Sequence, residues 1–237
     1  MALGRDTTIT WFGHGTYQID TPGGKRILVD PWLSGNPSCP EHLRSPARCD
    51  VMLVTHGHYD HIGDAIAVAR THAPVVVAGF EVCHWLERQG VERCSPMNKG
   101  GTQEVAGVRF TMTHAIHSGG ILDDDRIVSG GDAAGYVIRL ENDLAIYAAG
   151  DTALFGDMGL IGEVHRPELA ILPSGDHFTM GPADAARAVR LIGCKHVLGI
   201  HWGTFPLLTG TPEALRAAAS DIDGLEVHAL QPGESLS

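Results

Sequence analysis

The stretch Val51-Met52-Leu53-Val54-Thr55-His56-Gly57-His58-Tyr59-Asp60-His61-Ile62 decides how this chain is read. A strand-like apolar run, Val51-Val54, gives way within two residues to His56, His58, Asp60 and His61, and helical spacing begins at Ile62. Neither packing nor solubility needs three imidazoles and a carboxylate within six residues. Neutral imidazole and carboxylate together suit borderline divalent ions such as zinc, iron or manganese, whereas an all-oxygen set would suit magnesium or calcium. His56 and His58 leave a strand end two residues apart and can point to one side. Asp60 and His61 lie where the chain turns into a helix and can point to another, so one segment can serve two ions. A single ion would leave ligands uncompensated in a cleft, which is costly unless they are hydrogen-bonded. The competing reading, a solvated His-rich turn, is disfavoured by the strand and helix on either side.

Outward from this segment, β-branched or apolar runs bounded by Gly, Pro or Asp predict strands at Thr8-Phe12, Thr16-Ile19, Arg26-Val29, Val51-Val54, Val75-Val77 and Val108-Thr113. Further strands are predicted at Gly135-Leu140, Ala145-Ala148, Leu169-Leu172, Val197-Ile200 and Glu226-Ala229. Helical spacing links Ile62, Ala65, Ile66 and Ala69; Val82, Trp85 and Leu86; Ala185, Ala188, Val189 and Ile192; and Leu215 with Ala218. Pro182 and Asp184 suit a helix start, and Gly193 its end. The order strands, helix, strands, helix predicts an α/β fold in which two sheets face each other with helices outside.

With 237 residues and 43% hydrophobic content, the chain can bury a full core, and no Pro/Ser-rich linker divides it. One domain over residues 1–237 is expected. The first ten residues are too polar for a secretion signal, and no apolar run approaches the ~18 residues that span a membrane. A soluble cytoplasmic protein without a membrane partner is expected. The net charge of −11 disfavours nucleic acid, whose phosphates need Lys and Arg. Cys39, Cys49, Cys83, Cys94 and Cys194 are scattered and odd in number and read as reduced thiols, with Cys39–Cys49 and Cys83–Cys94 pairings left open. An exposed apolar face could support a homo-oligomer, but periodicity alone does not locate one.

The remaining ligand candidates sit where predicted strands end: His117 after Val108-Thr113, Asp151 after Ala145-Ala148, and His201 after Val197-Ile200. A rigid scaffold can hold such groups while their side chains reach a loop-lined cleft. His114 ends the same strand as His117 and competes with it. Asp30 either fixes the tautomer of a ligating histidine or is a turn Asp before Pro31. His14, in a glycine turn, either faces the cleft or caps the turn. His177 is a candidate proton donor with Asp176 as its orienter. His42, His72, His84, His165, His196 and His228 read as ordinary surface or packed histidines.

The ordered set THGHYDH, AIHS, AAGDT and GIHWGTF resembles the metallo-β-lactamase superfamily. WFGHGT, LVDPW, GDTALF and HFTMGP are similar to its branch of bacterial metal-dependent hydrolases near L-ascorbate-6-phosphate lactonase and, more distantly, the phospholipase D acting on N-acylphosphatidylethanolamine. The resemblance implies a four-layer αββα sandwich with two divalent ions, zinc foremost and manganese or iron as alternatives. It places His56, His58 and His117 on one ion, Asp60, His61 and His201 on the other, and Asp151 between them, and it favours His117 over His114. A cysteine found in some true β-lactamases is missing at the Asp151 position, which disfavours penicillin as substrate.

Two ions about 3.5–4 Å apart can share a water, acidify it and polarise a carbonyl or phosphoryl oxygen. A metal-bound hydroxide is then the nucleophile, with Asp60, Asp151 and His177 as the catalytic side chains, and the expected reaction is hydrolysis of an ester, lactone or phosphodiester of a small molecule. No GxSxG elbow argues for a serine nucleophile. The competitors are a mononuclear iron oxygenase acting on a sulfur compound, a nuclease, and a metal-stabilised binding protein without turnover. Residues 118–134, rich in Gly and Asp, are expected to be a long loop at the mouth, with Trp32, Trp202 and Phe205 supplying apolar wall.

Overall fold

The computed structural model describes residues 6–237. The reading of the polar N-terminus falls partly on residues 1–5, which lie outside the described residues. Six strands enter a first sheet in chain order: β1 (Thr8–Gly13), β2 (Thr16–Asp20), β3 (Arg26–Val29), β4 (Val51–Leu53), β5 (Val75–Gly79) and β6 (Cys94–Met97). The second sheet opens with β7 (Thr102–Val105) and β8 (Val108–His114). After a separate hairpin, β9 (Ile121–Asp123) and β10 (Arg126–Val128), it continues with β11 (Ala134–Arg139), β12 (Ala145–Ala148), β13 (Leu169–Pro173), β14 (His196–Ile200) and β15 (Glu226–His228). Finally β16 (Ser235–Leu236) returns to the first sheet beside β1. Both sheets have seven strands, ordered β16-β1-β2-β3-β4-β5-β6 and β15-β14-β13-β12-β11-β8-β7.

Alternation along the strands sorts the apolar residues into three layers. Ile9, Trp11, Ile27, Leu53, Phe110, Tyr136, Ile146 and Leu198 point inward and fill the space between the sheets. Tyr147, Ala170, Leu172 and Val197 face the other way, against α4 (Met158–His165), α5 (Pro182–Ile192) and α6 (Pro212–Ala218). Leu28, Met52, Val54 and Val76 face the helices of the first half, α2 (Ala65–His72) and α3 (Phe80–Arg88), which follow the short α1 (Tyr59–Ile62). Full burial of each such side chain is worth roughly 1.5–3 kcal/mol. The outcome is the expected α/β arrangement, a four-layer αββα sandwich. Its central parallel strands are buried on both faces, which is why they read as continuous apolar runs.

Strand direction positions the site. β3, β4 and β5 are mutually parallel, and β1 shares their direction because two antiparallel pairings separate it from β3. In the second sheet β12, β13 and β14 run parallel, and β8 shares their direction through β11. The chain therefore leaves β1, β3 and β4 at one rim of the first sheet, and β8, β12 and β14 at one rim of the second. Hydrogen bonds join the two rims, among them His201 N donating to His14 O (3.0 Å), Ala134 N to Thr55 O (3.1 Å), and Tyr136 Oη to Val54 O (3.0 Å).

Several elements differ from expectation for identifiable reasons. β6 carries Pro96 and β7 is polar and half exposed; both are edge strands, where neither proline nor polarity is penalised. The helical pattern from Ile62 to Ala69 is two helices, interrupted at Gly63-Asp64, where Asp64 accepts from Leu33 N, Ser34 N and Ser34 Oγ. The helix α4 escaped detection because Leu160 and Val164 on it are exposed and blur its period. α5 follows its signals, with Pro182 in the first turn and Gly193 in the left-handed conformation at φ 73°. Residues 118–134 are not a plain loop but the β9–β10 hairpin, rooted by the fully buried Ile121. All five cysteines are free thiols. Among the described residues, no helix is long and apolar enough to cross a membrane.

Candidate metal centre

Eight polar side chains converge where the two rims meet: His14, Asp30, His56, His58, Asp60, His61, His117 and His201 form overlapping groups whose ligand atoms, within each group, lie within 4.8 Å of one another. One group is His56, His58 and His117; another is His14, Asp60, His61 and His201. Asp151 lies between them. Its Oδ2 is 3.1 Å from His201 Nε2, 3.4 Å from His61 Nε2 and 3.7 Å from His117 Nε2.

Hydrogen bonding fixes which nitrogens face inward. Thr55 Oγ1 donates its single hydrogen to Asp30 Oδ2 (2.7 Å), so at 3.0 Å from His56 Nδ1 it can only accept. His56 therefore carries its proton on Nδ1 and presents a bare Nε2. Asp30 Oδ2 also accepts from His61 Nδ1 (2.8 Å), while Oδ1 accepts from Thr55 N (2.8 Å). One buried carboxylate thus sets the orientation of two imidazoles, directly for His61 and through Thr55 for His56. Asp30 is both of the things the sequence left open, since it also sits at a left-handed turn with φ 46°. His14 and His201 are held at φ 55° and 58°, strain that for non-glycine residues costs of order 1–3 kcal/mol each and clusters at functional sites. Gly15 allows this crowding, because a Cβ there would stand 2.6 Å from His61 Cε1.

His14 faces the cluster. Its Nε2 donates to Asp60 Oδ2 (2.9 Å), its Nδ1 meets Thr204 Oγ1 (3.0 Å), and its ring centre is 3.8 Å from that of His201. Burial, partly offset by the Asp60 hydrogen bond, pushes His14 down to about 4, so it is neutral. Burial alone would raise the Asp60 carboxyl, but the hydrogen bond from His14 and the neighbouring His61 outweigh it and hold the group below its usual range.

This donor set fits a divalent cation. In the first group His58 Nδ1 lies 3.0 Å from His56 Nε2 and 3.3 Å from His117 Nε2. Donors on a tetrahedral ion with bonds of 2.0–2.1 Å stand about 3.3–3.4 Å apart. Burial lowers all three of these histidines, keeping them neutral as ligands must be. In the second group His61 Nε2, both nitrogens of His201 and Asp151 Oδ1 are buried without a hydrogen-bond partner. Such atoms are costly in a folded core unless something compensates them. With no cation, burial would lower His61, yet Asp151 and Asp30 on either side outweigh it and hold the ring well above its ordinary value. Likewise burial would raise Asp151, but His201 and His61 keep it well below. A positive charge is therefore demanded between His61 and Asp151, as a proton or as a metal.

Beside the cluster lies a pocket of about 340 Å³ lined by His58, Tyr59, Asp60, His117, Ser118, Asp151, Phe178, His201 and Phe205. The expected ligand residues His56, His58, Asp60, His61, His117, Asp151 and His201 are thus brought together. His114 is not: it is exposed beside Lys99 Nζ (3.2 Å) and edge-on to Phe155. His177 is exposed and outside the lining, and Asp176 accepts from its backbone N rather than its ring (2.7 Å). Its neighbour Phe178 reaches the pocket instead. Of the 118–134 segment only Ser118 does so; Asp123, Val128 and Ser129 border a different depression beside α3. Trp32 lies behind, in edge contact with His14 and Tyr59, and Trp202 packs on Trp11. Thr55, Tyr59, Thr204 and Phe178 were missed by the sequence reading. All four lie inside motifs the sequence displays, Thr55 and Tyr59 in THGHYDH, Thr204 in GIHWGTF and Phe178 in HFTMGP, but none is a metal-ligand residue type.

The match to known proteins agrees with this geometry. Residues 25–202 match a family model described as a β-lactamase superfamily domain. A metal-dependent hydrolase of the UPF0173 group from Koribacter versatilis is 49% identical over 229 residues, covering 97% of each chain. Another from Roseiflexus castenholzii is 50% identical over 242 residues, covering 99% of each. A solved metallo hydrolase from the hyperthermophilic archaeon Ignicoccus hospitalis superposes with a TM-score of 0.86 at 30% identity, covering 97% of each chain. The chain belongs to the β-lactamase superfamily, among relatives named metal-dependent hydrolases.

Proposed function

We propose that this superfamily member is a two-metal hydrolase of a small, uncharged ester or lactone. One observation carries the reading: Asp151 Oδ2 stands within 3.1–3.7 Å of histidines from both converging groups, where a carboxylate with two oxygens can serve two ions. His56, His58 and His117 would hold one ion and Asp60, His61 and His201 the other, zinc suiting the N/O donor set. Divalent ions held there supply Lewis acidity, polarising a carbonyl oxygen and bringing the pKa of a water toward neutrality.

The chain's own residues do the rest. Asp30 and Thr55 hold His56 and His61 with Nε2 turned inward, so neither ring must reorient on loading. His14 fixes Asp60 through one hydrogen bond to Oδ2, which leaves Oδ1 and the remaining lone pair of Oδ2 able to serve as ligand or to receive a proton. Tyr59, Phe178 and Phe205 form an apolar wall that excludes water and orients an acyl or ring group. Among the described residues no Lys or Arg lines the pocket, which favours ester or lactone over phosphodiester. With His177 outside the pocket, the hydroxyl-bearing residues of its lining are Ser118, whose Oγ is 3.1 Å from His58 Nε2, and Tyr59.

The test is a matched panel of an aryl acetate, a δ-lactone and bis(p-nitrophenyl) phosphate, offered to zinc-loaded and manganese-loaded chain and to an Asp151→Asn control. Turnover of ester or lactone that disappears in the control supports the reading. Phosphodiester turnover alone would overturn the substrate class. Full loading with no turnover of any would favour a metal-stabilised binding protein.

A further inference from the structure

A second cluster of metal-ligand side chains lies at the opposite end of the second sheet. His196 is the first residue of β14 and Glu226 the first of β15, and the parallel register sets His196 beside Glu226 and Leu198 beside His228. Residues directly across a pair, and those two apart along a strand, share a face. His196, Glu226 and His228 therefore project on the side that Leu198 presents to the inter-sheet core. Nothing in the sequence joins them, since the paired positions His196 and Glu226 are 30 residues apart and each histidine alone reads as a surface or packed residue.

The atoms converge. His196 Nδ1 is 3.2 Å from His228 Nε2 and 3.5 Å from Glu226 Oε2, and the two rings lie nearly parallel, 15° apart. For zinc, with bonds of 2.0–2.2 Å to nitrogen and carboxylate oxygen, tetrahedral donor separations are about 3.3–3.6 Å. Both measured distances fall close to that spacing. All three side chains are partly buried, so solvent can supply a fourth ligand while the strands hold the other three. Burial lowers His228 from its ordinary value, leaving its ring neutral and able to ligate. Nearby Arg216 donates to Val227 O (2.8 Å), so its hydrogen bond goes to the backbone rather than to the Glu226 carboxylate.

We infer that His196, Glu226 and His228 form a separate site for a borderline divalent ion such as zinc. It is independent of the rim centre, because His201 leaves the other end of β14, roughly 16 Å along the strand at 3.3 Å per residue. The ion would pin β15, a three-residue edge strand, to β14, its only neighbour in the sheet among the described residues. Short edge strands are where a sheet frays first, and a ligand that binds only the folded pairing stabilises it by mass action. The competing arrangement is an ordinary imidazole–imidazole hydrogen bond with Glu226 alongside, which needs no ion.

The test uses the full chain with its rim centre already saturated. Zinc stoichiometry is measured by calorimetry and elemental analysis for the wild type and for His196→Ala/His228→Ala. The wild type should take up one ion per chain more than the variant, and excess zinc at about a hundred times Kd should raise its melting midpoint by roughly 5–10 °C, a shift absent from the variant. Equal stoichiometry and equal shifts would overturn the site. Should the double variant fail to fold, Glu226→Gln keeps the shape and removes one charged ligand. It should weaken the extra ion at least tenfold, and an unchanged affinity there overturns the site equally.

Discussion

His61 and His201 at the rim centre are each 1% exposed, although His201 also reaches the pocket wall, whereas His58 and His117 are only partly covered and their group partner His56 is buried. The two sides also differ in what holds them. His61 is gripped by a buried carboxylate and His201 by a backbone bond to His14 O, while His58 has only the exposed Ser118 hydroxyl behind its Nε2. A buried, charge-demanding half is prepared in advance for an ion. A half-open one leaves room for ligands to exchange as substrate enters. The same residue type, histidine, thus serves retention on one side and access on the other, and the groups that support it decide which.

The strongest challenge to this contrast is the residue shared by both sides. Asp151→Asn should cut hydrolysis about a thousandfold and lower metal content, more than the 10–100-fold typical of outer-shell partners; full activity and full loading in that variant would remove the bridge. Next, Asp30→Asn keeps the shape but withdraws the charge that meets His61 directly and His56 only through Thr55, so metal affinity should fall by about 10–100-fold on the buried side and by less on the open side in chelator competition. If both sides weaken equally, the asymmetry is wrong.

Protons sharpen the same point. In the metal-free chain Asp151 and Asp30 outweigh burial and keep His61 charged, with its pKa well above 6.5. A group raised in the folded state contributes stability that is fully present below its unfolded value and is lost as pH rises through the folded value. The ion must displace this proton, so affinity on the buried side should fall about tenfold per pH unit on acidification. Calorimetry in buffers of different ionisation enthalpy should count about one proton released per chain, and none would mean that His61 is already neutral.

Smaller effects belong to the open side. Phe178, 53% exposed beside the pocket, should contribute about 1 kcal/mol to an apolar substrate, so Phe178→Ala should raise KM about fivefold with kcat kept. A fall in kcat alone would place Phe178 in the chemistry instead. Ser118→Ala should change metal affinity less than about threefold, against the much larger effect of Asp30→Asn.

Much of this was legible from residues 51–62, because a strand end followed by His56, His58, Asp60 and His61 carries fold and chemistry together. The rim positions of His117, Asp151 and His201 followed from where apolar runs stop. The supporting shell was less visible: the role of Thr55 comes from one hydroxyl that donates to Asp30 and accepts from His56, and that of Thr204 from a contact across 190 residues, neither of which has a local period. His177 misled because the turn at φ 62° carries its side chain outside the pocket and presents Phe178 in its place. The hairpin inside residues 118–134 was hidden by its glycines and aspartates, which mark its turns rather than a missing strand pair.

The most direct measurement is metal content per chain after loading, made in the His196→Ala/His228→Ala background so that the edge cluster contributes nothing. Two ions per chain, falling to one or fewer when Asp151→Asn is added, are expected if the buried and open sides each hold an ion and share Asp151. One ion per chain, iron above all, with no change on adding Asp151→Asn, would contradict the two-metal centre and point to a mononuclear oxygenase.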